Sequence, residues 1–217
     1  MKNKTKRNKI VIGITVALII VMMLLAFSVS DEIKQLVGNT TDTSESETTD
    51  SDDYYTLDDD ATAYQEELFS ELESALEGDD DVAIATLVVK NYIANFYTWS
   101  NKDGSYDVGG AQYIYATNEL NFLQSSRANF YNNVSSYLQE YGAENLLEVT
   151  NVEAKGYYAQ ADITTATDKT FDAFYVEASW TYKDSLVFDS SEYQSTGYFN
   201  VIKNENGRFE IYKYWGD

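Results

Sequence analysis

A run of twenty uncharged and almost wholly apolar residues, Ile10 to Val29, constrains the fold of this chain most. Only Gly13, Thr15 and Ser28 interrupt its apolar character. An α-helix rises about 1.5 Å per residue, so this run matches the roughly 30 Å hydrocarbon core of a bilayer. The pattern predicts one transmembrane helix over residues 10–30, which places the two flanking parts of the chain in different compartments.

The charges beside this run predict its orientation. The tail, residues 1–9, carries five basic residues and no acid, whereas Asp31 and Glu32 follow the run directly. Because basic residues flank the cytoplasmic end of membrane helices, we expect a cytoplasmic N-terminus and an external remainder, a single-pass signal anchor in the cell membrane. A cleaved signal peptide stays open, since Ala26-Phe27-Ser28 offers small residues to a peptidase, although the run exceeds the usual 7 to 15 residues.

The charge of the external part excludes several functions. All 36 acidic residues but only 10 of the 15 basic ones follow the apolar run, which gives a formal charge of −26. Such a field repels phosphate backbones, so no nucleic acid is expected as a partner. The chain has no Cys and no His, which removes thiolate nucleophiles, disulfides and the commonest general base and metal ligand. We therefore assign no catalytic residue, no cofactor and no metal site, and expect no enzyme.

Residues 31–60 are predicted to form an acidic linker. The stretch Gly38 to Asp60 has nine acids, no base and almost no aliphatic side chain. It buries too little apolar surface to fold, and repulsion among its charges favours an extended, disordered chain. It is interpreted as a tether that holds the folded domain, residues 61–217, away from the membrane.

Two helices are predicted at the start of this domain. Tyr64, Leu68, Leu72 and Leu76 recur every four residues, and Gly78 provides a stop. The acidic triplets at residues 58–60 and 79–81 are interpreted as helix caps. Calcium binding is the alternative, but neither triplet has the alternating ligands and glycine of a known calcium loop. The loop of residues 101–110, NKDGSYDVGG, fails the same test.

The second helix, Val82 to Trp99, is predicted to be the central helix of the core, because it is apolar on most of its circumference. Asn91, Asn95 and Thr98 follow one another at i, i+4 and i+7 and form a polar stripe. We favour contact of this stripe with water, and a pocket lining is the alternative. A third helix is predicted from about Thr117 to Tyr141.

From Leu146 onwards the period becomes two, which predicts a mostly antiparallel sheet. In the clearest strand one face carries Phe174, Val176, Ala178, Trp180 and Tyr182, and Tyr175 and Glu177 point to the other. Further strands are predicted at about Leu147 to Ile163, bent at Gly156, at Tyr193 to Ile202 and at Arg208 to Trp215. Asn206-Gly207 predicts a two-residue hairpin.

Three helices followed by about four long strands resemble the cone-shaped α+β fold of the nuclear transport factor 2-like superfamily, in which a curved sheet wraps around a long helix. With its single span and external tether, the chain also resembles membrane-anchored subunits of Gram-positive conjugation and type IV secretion machines. The resemblance implies an α+β domain with three helices packed on a curved sheet. It carries over no binding residue, because that superfamily hosts many functions on one fold.

The function expected from these patterns is binding of a protein partner in the bacterial cell envelope. The alternative is a small-ligand binder or a carboxylate- and tyrosine-dependent enzyme with a pocket inside the cone. That pocket would be lined by Asn91, Asn95, Thr98, Tyr175 and Glu177. The many tyrosines, including Tyr212 and Tyr214 in the last strand, are interpreted as sheet residues, with a stacking surface as the alternative.

Overall fold

The structure, a computed structural model, describes residues 55–216. The basic tail, the predicted span Ile10–Val29 and the linker up to residue 54 lie outside the described residues. None of the helices within residues 55–216 has the length and apolar character needed to cross a membrane. The described part is an α+β domain with four helices and a four-stranded antiparallel sheet.

The first two helices form as their periodicity predicts. Helix α1 is Ala63–Leu76 and helix α2 is Asp81–Phe96. Asp80 caps α2 by accepting a hydrogen bond from the backbone N–H of Ala83, so the second acidic triplet does act as a cap. The first triplet does not. Thr62 caps α1 instead, because its side chain and that of Gln65 form a reciprocal capping box.

The predicted third helix is two helices, α3 at Ala116–Ala128 and α4 at Val134–Tyr141. The break lies at Asn129, whose side-chain amide donates to the carbonyl of Ser125. It also places Tyr131 fully in the core, where its hydroxyl donates to the carbonyl of Phe96 at 2.7 Å. A continuous helix would point this side chain elsewhere, so tertiary packing ends α3 early.

The main sheet has the strand order β1-β4-β5-β6, and all its strand pairs are antiparallel. A separate two-stranded hairpin, β2 and β3, is inserted between β1 and β4. The strands are β1 Val149–Tyr158, β2 Ile163–Thr164, β3 Thr170–Phe171, β4 Ala173–Tyr182, β5 Thr196–Lys203 and β6 Phe209–Trp215.

Two local predictions for the sheet are corrected. The register of β1 shifts between Val149 and Asn151, and its pairing with β4 is regular at Gly156. Gly156 is required for another reason, since a Cβ there would lie 2.2 Å from Thr86 Oγ1 on α2. The β5-β6 connection is a three-residue loop, Glu205 to Gly207, rather than the predicted two-residue loop. Just outside the two strands, the N–H of Asn204 donates to the carbonyl of Arg208 and closes this loop. Gly207 adopts a φ of +80°.

The core lies between α2 and one face of the sheet. Ten of the sixteen residues of α2 are buried, as predicted for a central helix. The sheet contributes the even-numbered residues of β4, which are buried as the alternation predicts. These are Phe174, Val176, Ala178 and Trp180.

Residues 55–60, assigned to the acidic linker on composition, contact the folded domain. Tyr55 is buried, stacks on Tyr113 at 5.3 Å and donates a hydrogen bond to the carbonyl of Phe209 at 2.6 Å. The guanidinium of Arg208 lies 5.1 Å from the Tyr55 ring centroid. Composition does not reveal this contact, because one aromatic side chain attaches an otherwise polar segment to the domain.

Within residues 55–216, the other face of the sheet is covered at one end only. There Tyr115, Phe171 and Ile202 form a second, small apolar cluster, with Ile163 of the β2-β3 hairpin packed against it. The remainder of this face, which we call the outer face, is where the odd-numbered residues of β4 point. One solvent-facing side is usual for an antiparallel sheet.

Candidate functional site

The polar stripe predicted on the central helix is buried and lines no described cavity. Asn91 donates to the carbonyls of Leu68 and Leu87, both at 3.0 Å, and Asn95 donates to the carbonyl of Asn91 at 2.8 Å. Asn91 thereby joins backbone groups of α1 and α2, whereas Asn95 bonds one turn back within α2. The predicted contact with water is wrong, because these amides satisfy carbonyl groups inside the domain.

Thr98 lies beyond the end of α2 and therefore does not extend that stripe. Its side chain is fully buried, and its hydroxyl accepts a hydrogen bond from the N–H of Val149 at 3.0 Å. Thr98 thus attaches the start of β1 to the segment that follows α2. All three residues stabilise the packing of the domain.

The interior of the domain is filled with aromatic rings. The Phe96 ring lies 4.9 Å from that of Tyr97 and 5.3 Å from those of Phe122 and Phe130, and Tyr97 contacts Trp180 at 4.5 Å. The hydroxyl of Tyr97 donates to Gln194 at 3.0 Å. Where a pocket would be needed for a small ligand, side chains from the helices and the sheet are in contact.

The tyrosines in this interior stay protonated at neutral pH. Burial raises the pKa of the Tyr92 and Tyr97 hydroxyls well above their usual range. Burial also raises the pKa of Tyr214 to about 12, although a hydrogen bond with Tyr92 lowers it. A hydroxyl that ionises only in strong base makes a poor nucleophile or general base at neutral pH.

The outer face carries the two other residues singled out from the sequence, Tyr175 and Glu177. Both point away from the core, as the alternation predicts, so they lie on the opposite side of the sheet from Asn91 and Asn95. The five residues proposed for one pocket are therefore divided between the core and the outer face. Glu177 is exposed and Tyr175 is half-buried.

Four aromatic side chains cross the outer face, one from each strand of the main sheet. Strand register places Tyr157 opposite Tyr175, and it places Tyr198 opposite Trp215. Their ring centroids are 6.3 Å apart for Tyr157 and Tyr175, and 6.2 Å for Tyr175 and Tyr198. Trp215 lies 6.0 Å from Tyr198 and 6.2 Å from Tyr175. We call Tyr157, Tyr175, Tyr198 and Trp215 the aromatic strip.

The rings of the strip are held by each other and remain accessible to solvent. Tyr157 is 38% exposed, and the other three are partly exposed. The planes of Tyr175 and Tyr198 are nearly parallel, at 9°. Aromatic side chains favour strands, so one exposed ring needs no explanation. A contiguous row of four, on a face that no other element of residues 55–216 covers, is typical of a recognition surface.

Polar side chains alternate with these rings. Lys155 places its ammonium 5.1 Å from the centroid of Tyr157, and it is paired in register with Glu177. Desolvation and the neighbouring Glu177 carboxylate raise the pKa of the Tyr175 hydroxyl. Beside the strip lies a shallow, open depression of about 400 Å³. Its polar lining consists of Glu153, Lys155, Glu177, Ser179, Thr196 and Tyr198.

Sequence reasoning missed Trp215 as a member of the strip because of an irregularity in pairing. The register of β5 with β6 shifts between Asn200 and Val201. As a result Tyr214 pairs with Phe199 and packs on the core, while Tyr212 packs on the second cluster. The alternative of a stacking surface built on Tyr212 and Tyr214 is therefore wrong. Trp215 is the residue of β6 that lies beside Tyr198 on the outer face. The sequence does not show which residue of β6 is the extra one.

One buried carboxyl lies outside the core and outside the strip. Glu210 is 4% exposed, accepts a hydrogen bond from Asn204 at 3.0 Å and lies 3.8 Å from the guanidinium of Arg208. Burial raises its pKa above the usual 4.5, although Asn204 and Arg208 lower it. Its neighbours attach it to the β5-β6 hairpin, so it stabilises that connection.

We expect Glu210→Gln to change how stability depends on pH. Because its pKa is raised, Glu210 keeps its proton to a higher pH in the folded protein than in the unfolded chain. Its contribution to the free energy of unfolding is therefore largest below pH 4.5, and this contribution is lost as the pH rises through the raised pKa. The free energy of unfolding of Glu210→Gln, relative to wild type, should therefore increase from pH 4 to pH 7 in urea titrations. A difference that is the same at every pH would contradict this role.

Of the three acidic segments considered for calcium, residues 79–81 cap α2, and the other two also have structural roles in the described residues. Asp107 accepts a hydrogen bond from the N–H of Asp103, and Asp58 lies 3.9 Å from the ammonium of buried Lys102. Within residues 55–216, His, Cys, Asp and Glu form no group of three or more that is able to hold a metal ion. Lys102 of the loop of residues 101–110 thus lies beside a carboxylate of the segment that precedes α1.

Comparison with protein-family models, with curated proteins and with solved structures finds no match to this chain.

Proposed function

We propose that this chain is a membrane-anchored, extracytoplasmic interaction domain that binds a protein partner in the bacterial cell envelope. The partner contacts the outer face of the sheet at the aromatic strip. The observation that carries this proposal is the row of four partly exposed rings, from Tyr157 to Trp215, on a face that no other described element covers. Tyr and Trp are enriched in protein interfaces because they bury a large area at low entropic cost.

The rest of the chain supports an external position. The span Ile10–Val29 with its basic flank anchors the N-terminus, and the acidic tract up to residue 54 separates the domain from the bilayer. A secretion or conjugation assembly is the setting that the sequence resemblance favours. We also propose that the domain has the cone-like fold of the superfamily it resembles. A central helix packed on one face of an antiparallel sheet supports this fold.

A pocket enzyme or small-ligand binder is the weaker reading. It needs a cavity with an inward-pointing acid, whereas aromatic rings fill the interior and Asn91 and Asn95 satisfy backbone carbonyls there. Glu210 is a buried acid with a raised pKa, but it belongs to neither of the two open depressions seen beside the strip and at residues 184–190. The outer face therefore remains the better candidate site.

Because the chain has no cysteine, a single cysteine gives a site-specific test. Ser179→Cys places a thiol on the outer face beside the strip, and Ser74→Cys places one on the exposed side of α1. Intact cells are treated with a membrane-impermeant crosslinker that carries a maleimide and a photoreactive group. We expect Ser179→Cys to yield one reproducible adduct with an envelope protein.

The matched variant Ser74→Cys should be labelled equally and yield no such adduct, because α1 lies on the helical side of the domain. Adding Trp215→Ala to Ser179→Cys should remove the adduct. Equal adducts from both cysteines, or none from either after complete labelling, would refute binding through the outer face. Failure of both thiols to react in intact cells, with reaction after lysis, would refute the external position.

A further inference from the structure

We propose that the aromatic strip recognises a cationic protein segment rich in arginine. This inference rests on the proposed function and names the chemistry of the partner at the same face. Guanidinium groups of the partner stack on Tyr175, Tyr198 and Trp215 and pair with the carboxylate of Glu177. Three observations support it: the charge of the domain, the arrangement of the rings and the position of that carboxylate.

The charge of the domain selects a cation. Residues 55–216 contain 27 acidic and nine basic side chains, a formal charge of −18. Six of those nine bases already lie within 4.0 Å of a carboxylate of the same domain. The acids outnumber all nine bases by 18, so that excess negative charge is uncompensated within residues 55–216. Such a field attracts basic partners and accelerates their encounter, and it opposes the approach of a second copy of this chain.

The rings select a flat cation. Tyr175, Tyr198 and Trp215 form a triangle with centroid distances of 6.0 to 6.2 Å. Lys155 lies over the fourth ring, that of Tyr157. Guanidinium is planar, weakly hydrated and stacks on aromatic faces, whereas ammonium is compact and strongly hydrated. Within the domain itself, the guanidinium of Arg208 lies over Tyr55 in such a contact.

The Glu177 carboxylate fixes the orientation of a guanidinium that stacks on these rings. Glu177 is paired in register with Tyr198 and follows Tyr175 two residues later on the same face of β4. A guanidinium stacked on these rings therefore has a carboxylate beside it that accepts two parallel hydrogen bonds. Lys155 faces Glu177 across the strand pair. An incoming arginine therefore either displaces the Lys155 ammonium from beside Glu177 or binds next to it.

The test compares arginine with lysine at equal charge. The probes are fluorescein-labelled peptides of alternating Gly and Arg, Gly and Lys, and Gly and Glu, and their binding to the full-length protein in detergent micelles is followed by fluorescence anisotropy. The acidic tract attracts both cationic peptides, and the substitutions described next separate its contribution from that of the strip. We expect the arginine peptide to bind about tenfold tighter than the lysine peptide, which is about 1.4 kcal/mol.

Two substitutions locate this preference. Tyr175→Ala should reduce the arginine-to-lysine ratio to about one, whereas Tyr106→Ala, which removes a 64% exposed ring on a distant loop, should leave it unchanged. Glu177→Gln keeps all the rings and should weaken binding of the arginine peptide severalfold. Its matched control is Glu73→Gln on the exposed side of α1, which should have no effect. Circular dichroism reports whether each variant is folded.

Several outcomes would overturn the proposal. One is equal binding of the two cationic peptides to wild type, and another is a preference for arginine that survives in Tyr175→Ala and Glu177→Gln. Tighter binding of the Gly-Glu peptide, or concentration-dependent dimerisation that Trp215→Ala abolishes, would assign the strip to an acidic partner or to a second copy. The crosslinking result with Ser179→Cys stands independently, because it requires a partner of any charge.

Discussion

Phe96→Ala is expected to cost about 3 to 5 kcal/mol of the free energy of unfolding. Phe96 is 1% exposed and contacts five rings, so its removal leaves a cavity that rigid neighbours fill poorly. These neighbours are Tyr92, Tyr97, Phe122, Phe130 and Tyr131. Urea unfolding of the full-length protein in detergent, followed by tryptophan fluorescence, measures the change.

The control for this substitution is Leu120→Ala on α3. Leu120 is 66% exposed, so its truncation should change stability by no more than about 0.5 kcal/mol. A loss below about 1 kcal/mol for Phe96→Ala would mean that α2 lacks a packed environment. The assignment of α2 as the central helix would then be wrong.

Gly109→Ala is expected to destabilise the domain by more than about 3 kcal/mol, because the added methyl group overlaps backbone. A Cβ at Gly109 would lie 2.1 Å from the carbonyl oxygen of Asn95, in a helix that cannot move away. The loop would have to leave α2, which breaks the hydrogen bond from Gly109 N–H to the Tyr131 hydroxyl. Urea unfolding and the yield of folded protein both report this loss.

Gly207→Ala separates this overlap from backbone strain. Gly207 has a φ of +80°, but nothing lies within 4 Å of a Cβ built there. An alanine at that position has only the cost of the left-handed conformation, which lowers the free energy of unfolding by about 1 kcal/mol. If Gly109→Ala were as mild as Gly207→Ala, the loop of residues 101–110 would not approach α2 as closely as the structure shows.

The candidate site could be predicted only in part. The alternation of β4 correctly assigns Tyr175 and Glu177 to the face opposite the core, because the two-residue period of a strand is a local property. It does not say which residues of β1, β5 and β6 are their neighbours. Tyr157, Tyr198 and Trp215 reach the strip through strand register, which depends on pairing over long distances in the chain.

The sequence by itself determined the class of the domain, its two amphipathic elements α1 and β4, and the burial of α2, because each follows from a repeat of 3.6 or two residues. Only the tertiary structure decided the rest. Asn91 and Asn95 are buried because carbonyl groups of neighbouring helical turns accept their amides. The third helix breaks because Tyr131 binds in the core, and Tyr55 joins the domain because Tyr113 and Arg208 receive its ring. Such contacts join residues that are distant in sequence, and a local period carries no information about them.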